Sequence, residues 1–234
     1  MAGERTFFAT TIPGFEGLLN SELSDLQCPP GGKTLLEGGV EFKGRLQSCY
    51  EANLKLRTAH RILMRIAGFK ATNFRALQKK TEALSWALHL PPGRPLQIRV
   101  ASKHSRLYHT AALEECIRKA INTRLAVAAT QQNPSSLGES PLVFVRLHKD
   151  FFSLSVDSSG DLLHRRGIKS YPAKAPIRET IAAAALLFAG YDGKRPLLDP
   201  MCGSGTFSFK AAMMARNMPP GWFRDFAFMN SGLP

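Results

Sequence analysis

Between Leu197 and Thr206 the chain reads Leu-Leu-Asp-Pro-Met-Cys-Gly-Ser-Gly-Thr, an order of residue types suited to holding a nucleotide-type cofactor. Asp199 closes a short apolar run, and Gly203-Ser204-Gly205 then opens a helix-forming segment. Glycines let the backbone approach a ligand, and the free N–H groups of the first helical turn face its polar end. No Lys-Ser or Lys-Thr follows Gly205, which excludes a Walker-type phosphate loop. Nothing cationic or histidine-like stands beside Cys202 to generate a thiolate, so Met201 and Cys202 read as packing or ligand-adjacent surface. The alternative is a strand–helix turn that uses glycine only for tight geometry. Only 28 residues follow Thr206, so a cofactor domain is expected to begin here and not to be finished.

The elements that must position this turn can be read from periodicity. Residues 5–12 predict a strand, Phe15 to Leu26 a helix, Gly38-Gly39 a tight hairpin, 45–56 a second helix and 60–69 another strand. That β-α-β-β-α-β order is a split ferredoxin-like unit. Arg75–Leu90 predicts a helix with Leu77, Leu84 and Leu88 inward, and Leu96, Ile98 and Val100 a half-buried strand. Leu113, Ile117, Ile121 and Leu125 stripe one helix, with Lys119 opposite that stripe and Arg118 on its flank. Two alternating strands, 143–147 and 152–156, are joined through Lys149-Asp150. Beyond Asp157-Ser158-Ser159-Gly160 come an alanine-rich helix from Ile177 capped by Gly190, a strand at Leu197-Leu198 and a helix over 207–218 that Pro219-Pro220-Gly221 stops.

The net charge of +13 is unevenly spread. Residues 60–124 hold 13 basic and 3 acidic side chains, and residues 164–234 hold 10 and 4, whereas the remaining stretches are slightly acidic. A concentrated basic surface suits a polyanion, nucleic acid above all. Lys103 and Arg106 follow a strand end, Arg118 and Lys119 share a helix, and Arg165, Arg166 and Lys169 sit between the two expected units, where a bound RNA would pass. His104, Tyr108 and His109 are candidates to stack on bases. The four cysteines are scattered without metal-ligand spacing, so reduced thiols and no metal site are expected. No signal peptide and no membrane-length apolar run is read, and a cytoplasmic protein is expected.

Three signatures in order resemble the THUMP-domain RNA methyltransferases: Gly160-Asp161-Leu162-Leu163-His164-Arg165-Arg166-Gly167, then Ala175–Ala184, then Asp199–Thr206. The resemblance is strongest to the bacterial branch that methylates guanine N2 in large-subunit ribosomal RNA. It extends to the front of the chain through Phe8–Glu16 and Gly38–Gly44. It implies an α+β fold: a ferredoxin-like module at 1–59, a THUMP RNA-binding domain at 60–157, and at 158–234 a linker with the start of a Rossmann-like α/β methyltransferase domain.

By the same resemblance, S-adenosylmethionine would be cradled by Asp199, Pro200, Cys202, Gly203, Ser204, Gly205 and Thr206. Pro176 and Thr180 would lie across the pocket. Large-subunit ribosomal RNA would meet Lys103, Arg106, Arg118, Lys119, Arg165 and Arg166. The catalytic Asn/Asp-Pro-Pro-Tyr/Phe motif does not occur in the sequence, so no catalytic residue is assigned and the chain alone is expected to be inactive. Asp225 stands where a ribose-binding carboxylate belongs but does not read as a strand end. Two other readings stay open: a stand-alone THUMP-type RNA-binding module without catalysis, and a glycine turn that serves another nucleotide.

Overall fold

A computed structural model describes residues 3–27, 31–91, 93–129, 140–167 and 177–230. Its seven strands are hydrogen-bonded in the order β2-β3-β1-β4-β7-β6-β5. The chain divides into two compact units: residues 1–63 with 161–226, and residues 64–160 with 227–234. The units thus divide at 63/64 and 160/161, where the sequence reading expected 59/60 and 157/158.

In the first unit, β1 (Arg5–Thr10), α1 (Glu16–Ser24), β2 (Gly32–Leu36), β3 (Gly39–Gly44) and α2 (Leu46–Lys55) lead into β4 (Arg61–Lys70). This is the β-α-β-β-α-β order read from periodicity. β3 pairs antiparallel with both β1 and β2, setting Phe7 opposite Phe42 with ring centroids 5.3 Å apart. Their inner face meets Leu19 and Leu23, all fully buried. The unit takes up the chain again at Asp161 and adds α5 (Glu179–Phe188) and α6 (Thr206–Ala215), which pack together.

The second unit holds the rest of β4, then α3 (Phe74–Glu82), β5 (Gln97–Lys103), α4 (Thr110–Ala129), β6 (Leu142–His148) and β7 (Phe151–Asp157). β5 and β6 run parallel across the α4 crossover, and β6 turns back antiparallel into β7. Leu113, Ile117, Ile121 and Leu125 of α4 are buried with Ile98, Val143, Val145, Leu147, Phe152, Leu154 and Val156, the stripe and strand faces that the sequence predicts.

Three expectations fail for identifiable reasons. The helix from Arg75 stops at Glu82, not Leu90: the indole of Trp86 turns back to donate to the Thr81 carbonyl at 2.8 Å. Trp86 is fully buried in consequence, and Leu88, expected inward, is 63% exposed. Leu197-Leu198 is not a strand, because an extended segment becomes one only when a neighbour takes up its backbone groups. Among the described residues no ladder forms there, and Leu198 is 87% exposed. Finally α6 ends at Ala215, before the prolines. Asn217 adopts a left-handed φ of 48° and Met218 N–H reaches back to Met213 O at 2.8 Å, so asparagine fills the position glycine usually takes.

Candidate cofactor turn and basic surfaces

The Asp199–Thr206 turn depends on two left-handed glycines. Gly203 and Gly205 have φ of 49° and 70°, left-handed values that ordinary side chains resist. A Cβ on either would meet nothing closer than 3.6 Å, so conformation and not crowding calls for glycine. Gly205 N–H closes the turn onto Cys202 O at 2.7 Å, and Gly205, with no side chain of its own to offer, stands at the N-cap of α6. Asp199 Oδ1 accepts from Met201 N–H at 3.3 Å. Its Oδ2 is buried with no partner, a carboxylate oxygen that a cationic or hydrogen-bonding ligand would satisfy.

The neighbouring helix supplies a second such atom. Thr180, in the first turn of α5, is 2% exposed and its hydroxyl has no partner. Glu179 beside it forms an ion pair with Lys210 of α6. Both side chains are nearly out of contact with water, which pushes the Lys210 ammonium down while Glu179 holds it up. That pair ties the first turn of α5 to the second turn of α6, and so fixes Thr180 against the helix that Gly205 caps. Sequence reading missed Lys210; the available signal was a lone cation one turn after Thr206 in an otherwise apolar helix. Thr206 is buried, its hydroxyl 3.3 Å from Ser204 Oγ, while Pro200 and Cys202 are exposed. Pro176 lies outside the described residues, as does Lys169.

The candidate RNA residues separate sharply. Lys103 and Lys119 are exposed. Arg106 is exposed with Asp150 at 3.8 Å. Arg118, expected as a free flank cation, is engaged instead: it donates to the Leu96 carbonyl and pairs with Glu114 at 2.5 Å. Arg165 is exposed, 3.5 Å from Asp161.

Arg166 corrects the reading outright. It is 1% exposed and donates to Leu56 O at 2.8 Å. Burial pulls its guanidinium down to about 9, with Arg224 adding to the effect and Glu179 opposing it. A charge read as surface is a structural strut in the first unit. Tyr108 is 66% exposed with its ring 4.1 Å from that of His109, and Asp225 is exposed outside any strand.

Comparison with known proteins adds independent support. Residues 166–231 match the RMKL-like methyltransferase domain family, and residues 6–63 match the RlmL ferredoxin-like domain family. The chain is 35% identical over 230 residues to a ribosomal RNA large subunit methyltransferase K/L of Methylococcus capsulatus, covering 95% of this chain and 30% of that protein. The crystal structure of SMU.472 in complex with SAH superposes with a TM-score of 0.84 at 33% identity, over 97% of this chain and 60% of that one. TrmN from Thermus thermophilus matches with a TM-score of 0.72 at 25% identity, over 94% of this chain and 63% of that one. The chain therefore spans between 30% and 63% of the length of these relatives. Methyltransferase-family sequence surrounds the Asp199–Thr206 turn, and ferredoxin-like sequence the front of the same unit.

Among the described residues no helix is long and apolar enough to cross a membrane, and no group of three metal-ligating side chains converges.

Proposed function

We propose that this chain supplies the methyl-donor turn and the RNA-docking surface of an S-adenosylmethionine-dependent RNA methyltransferase, with large-subunit ribosomal RNA as substrate and guanine N2 as methyl acceptor. The observation that carries the reading is the turn itself: left-handed Gly203 and Gly205 at the start of α6 and an unpartnered Asp199 Oδ2, all inside the segment that matches a methyltransferase domain.

The residues fit the group. The Asp199 carboxylate suits the ammonium of a methionine moiety, the first-turn N–H groups of α6 suit its carboxylate, and the Thr180 hydroxyl offers a further hydrogen bond. When bound, the donor would provide the methyl group as an electrophile; this chain's residues would orient it and exclude water from one side. The second unit, read as THUMP, would deliver the RNA through exposed cations such as Lys103 and Arg106. Names of relatives support the substrate class, and the SAH complex of SMU.472 supports the donor.

Calorimetric titration with S-adenosylhomocysteine tests this. The unaltered chain should bind, and Asp199→Ala and Gly205→Val should each weaken binding at least about tenfold, the effect of one lost charge-assisted hydrogen bond or of a strained left-handed backbone. Undiminished affinity in both variants would remove the turn as the site.

A further inference from the structure

The sheet of the second unit has two unlike faces. α3 and α4 cover one, where Ile98, Val145, Leu147, Phe152 and Leu154 are buried. The alternate residues face the other way, and the register fixes their rows. Lys103 pairs with His148 and His148 with Phe151; Ala101 pairs with Arg146 and Arg146 with Ser153; Arg99 pairs with Phe144 and Phe144 with Ser155. Arg99, Lys103, Arg146 and Phe151 on this face are exposed. In all four strands the single carboxylate is Asp157, buried at the far end of β7. Cations and aromatic rings alternate on this face, Ser155 of β7 is buried, and the carboxylate of the β6–β7 turn, Asp150, lies 3.8 Å from Arg106.

Phe151 is held ready for contact. Its ring rests against Gly68 of β4, where a Cβ would come within 2.8 Å of Cζ, and the side chain is still 43% exposed. A glycine in mid-strand is costly unless another group uses the gap, and here the ring does. The end of the sheet is braced as well. Lys149 and Asp150 both take left-handed φ in the β6–β7 turn. Asp150 Oδ1 accepts from Arg106 N–H at 2.8 Å, and Ser105 Oγ accepts from Asp150 N–H at 3.1 Å. Nearby, desolvation and then Lys149, His104, Arg146 and Lys103 hold the His148 imidazole below its ordinary value, a sign of local positive potential.

We propose that this open face receives single-stranded RNA, with Phe151 as a base-stacking platform and Arg99, Lys103 and Arg146 contacting phosphates. The proposal rests on the RNA-binding reading above and says where that binding occurs. Splayed bases stack on sheet aromatics while cations track the backbone, and stacking is tolerant of sequence.

Fluorescence anisotropy of the full chain with a short labelled single-stranded RNA, at about 50 and 200 mM salt, tests it. Arg99→Gln/Arg146→Gln should weaken binding about tenfold or more and lower the salt slope by about two, one for each phosphate contact. Phe151→Ala should weaken binding about 5- to 100-fold with the salt slope unchanged, and Phe151→Trp should retain affinity. Arg99 and Arg146 are exposed, so melting temperature should hold in their double variant and serves as its folding control; Phe151→Ala also uncovers Gly68, so its binding is compared with Phe151→Trp well below both melting transitions. Parental affinity in these variants, with loss in Arg118→Glu/Lys119→Glu, would move the RNA to α4 and overturn this proposal while sparing RNA binding. No binding by the unaltered chain would overturn both.

Discussion

The two units treat positive charge in opposite ways. In the second, Lys103, Lys119 and Arg146 stand in water, and the strands beneath them are filled with aliphatic side chains. In the first, cations turn inward. Arg166 meets the Leu56 carbonyl, and Lys210 meets Glu179. Arg57 donates to Met218 O at 3.0 Å, and Arg224 reaches the carbonyls of Asp161, Leu162 and Arg165 at 2.9–3.0 Å. Part of the basic excess of residues 164–234 is therefore glue between chain segments far apart in sequence. The net charge of a stretch speaks about partners only after the buried share has been subtracted.

The comparison makes Lys210 the position of largest effect. Lys210→Ala would strand the Glu179 carboxylate in the interior, a loss of about 3–5 kcal/mol in urea unfolding. The double variant Glu179→Gln/Lys210→Met should recover most of that, because neither charge then needs a partner. On the outer surface, Arg146→Ala and Lys119→Ala should each stay within about 0.5 kcal/mol. Equal losses inside and outside would break the contrast between the units.

Arg166 gives the next effect and sharpens the same point against its own neighbour. Arg166→Ala leaves a void and an unpaired Leu56 carbonyl, at a cost of about 2–4 kcal/mol. Arg166→Met should cost less by filling the void. Arg165→Ala, one residue away and exposed, should change stability by no more than about 0.5 kcal/mol, since both side chains of its pair with Asp161 are mostly in solvent. Adjacent arginines separated this widely in unfolding experiments would show that position in the fold, not residue type, sets the role.

What the sequence made legible follows the same line. Periodicity placed α4 and the strands around it, because a stripe such as Leu113, Ile117, Ile121 and Leu125 is a direct record of what lies beneath it. The glycines of the cofactor turn were legible because left-handed φ leaves a residue-type signature. Burial of Arg166 was not, since Leu-His-Arg-Arg-Gly has no periodicity and its partner carbonyl lies on Leu56, 110 residues away. The end of α3 escaped for a similar reason: Trp86 competes for the Thr81 carbonyl, a local hydrogen bond that no propensity encodes. The apolar pair Leu197-Leu198 reads as a strand and forms none, because a strand is a relation between segments and not a property of one.

The smallest expected effect comes from two histidines in the first unit. His60 and His164 meet edge to face with ring centroids 6.5 Å apart, and His60 Nε2 is buried without a partner. Both imidazoles are held below their ordinary value, His60 by desolvation and then Arg178 and Arg166, His164 by desolvation and then Arg178 and His60. The unfolded chain therefore takes up protons first as pH falls through about 6.5, and stability is lost from there down to the folded-state values. Above that window the contribution is fully present. His60→Gln should lose less melting temperature between pH 7 and pH 5 than the unaltered chain, with carboxylate effects common to both cancelling in the difference. Identical slopes would mean that burial and the neighbouring Arg178 and Arg166 leave the His60 imidazole at its ordinary value.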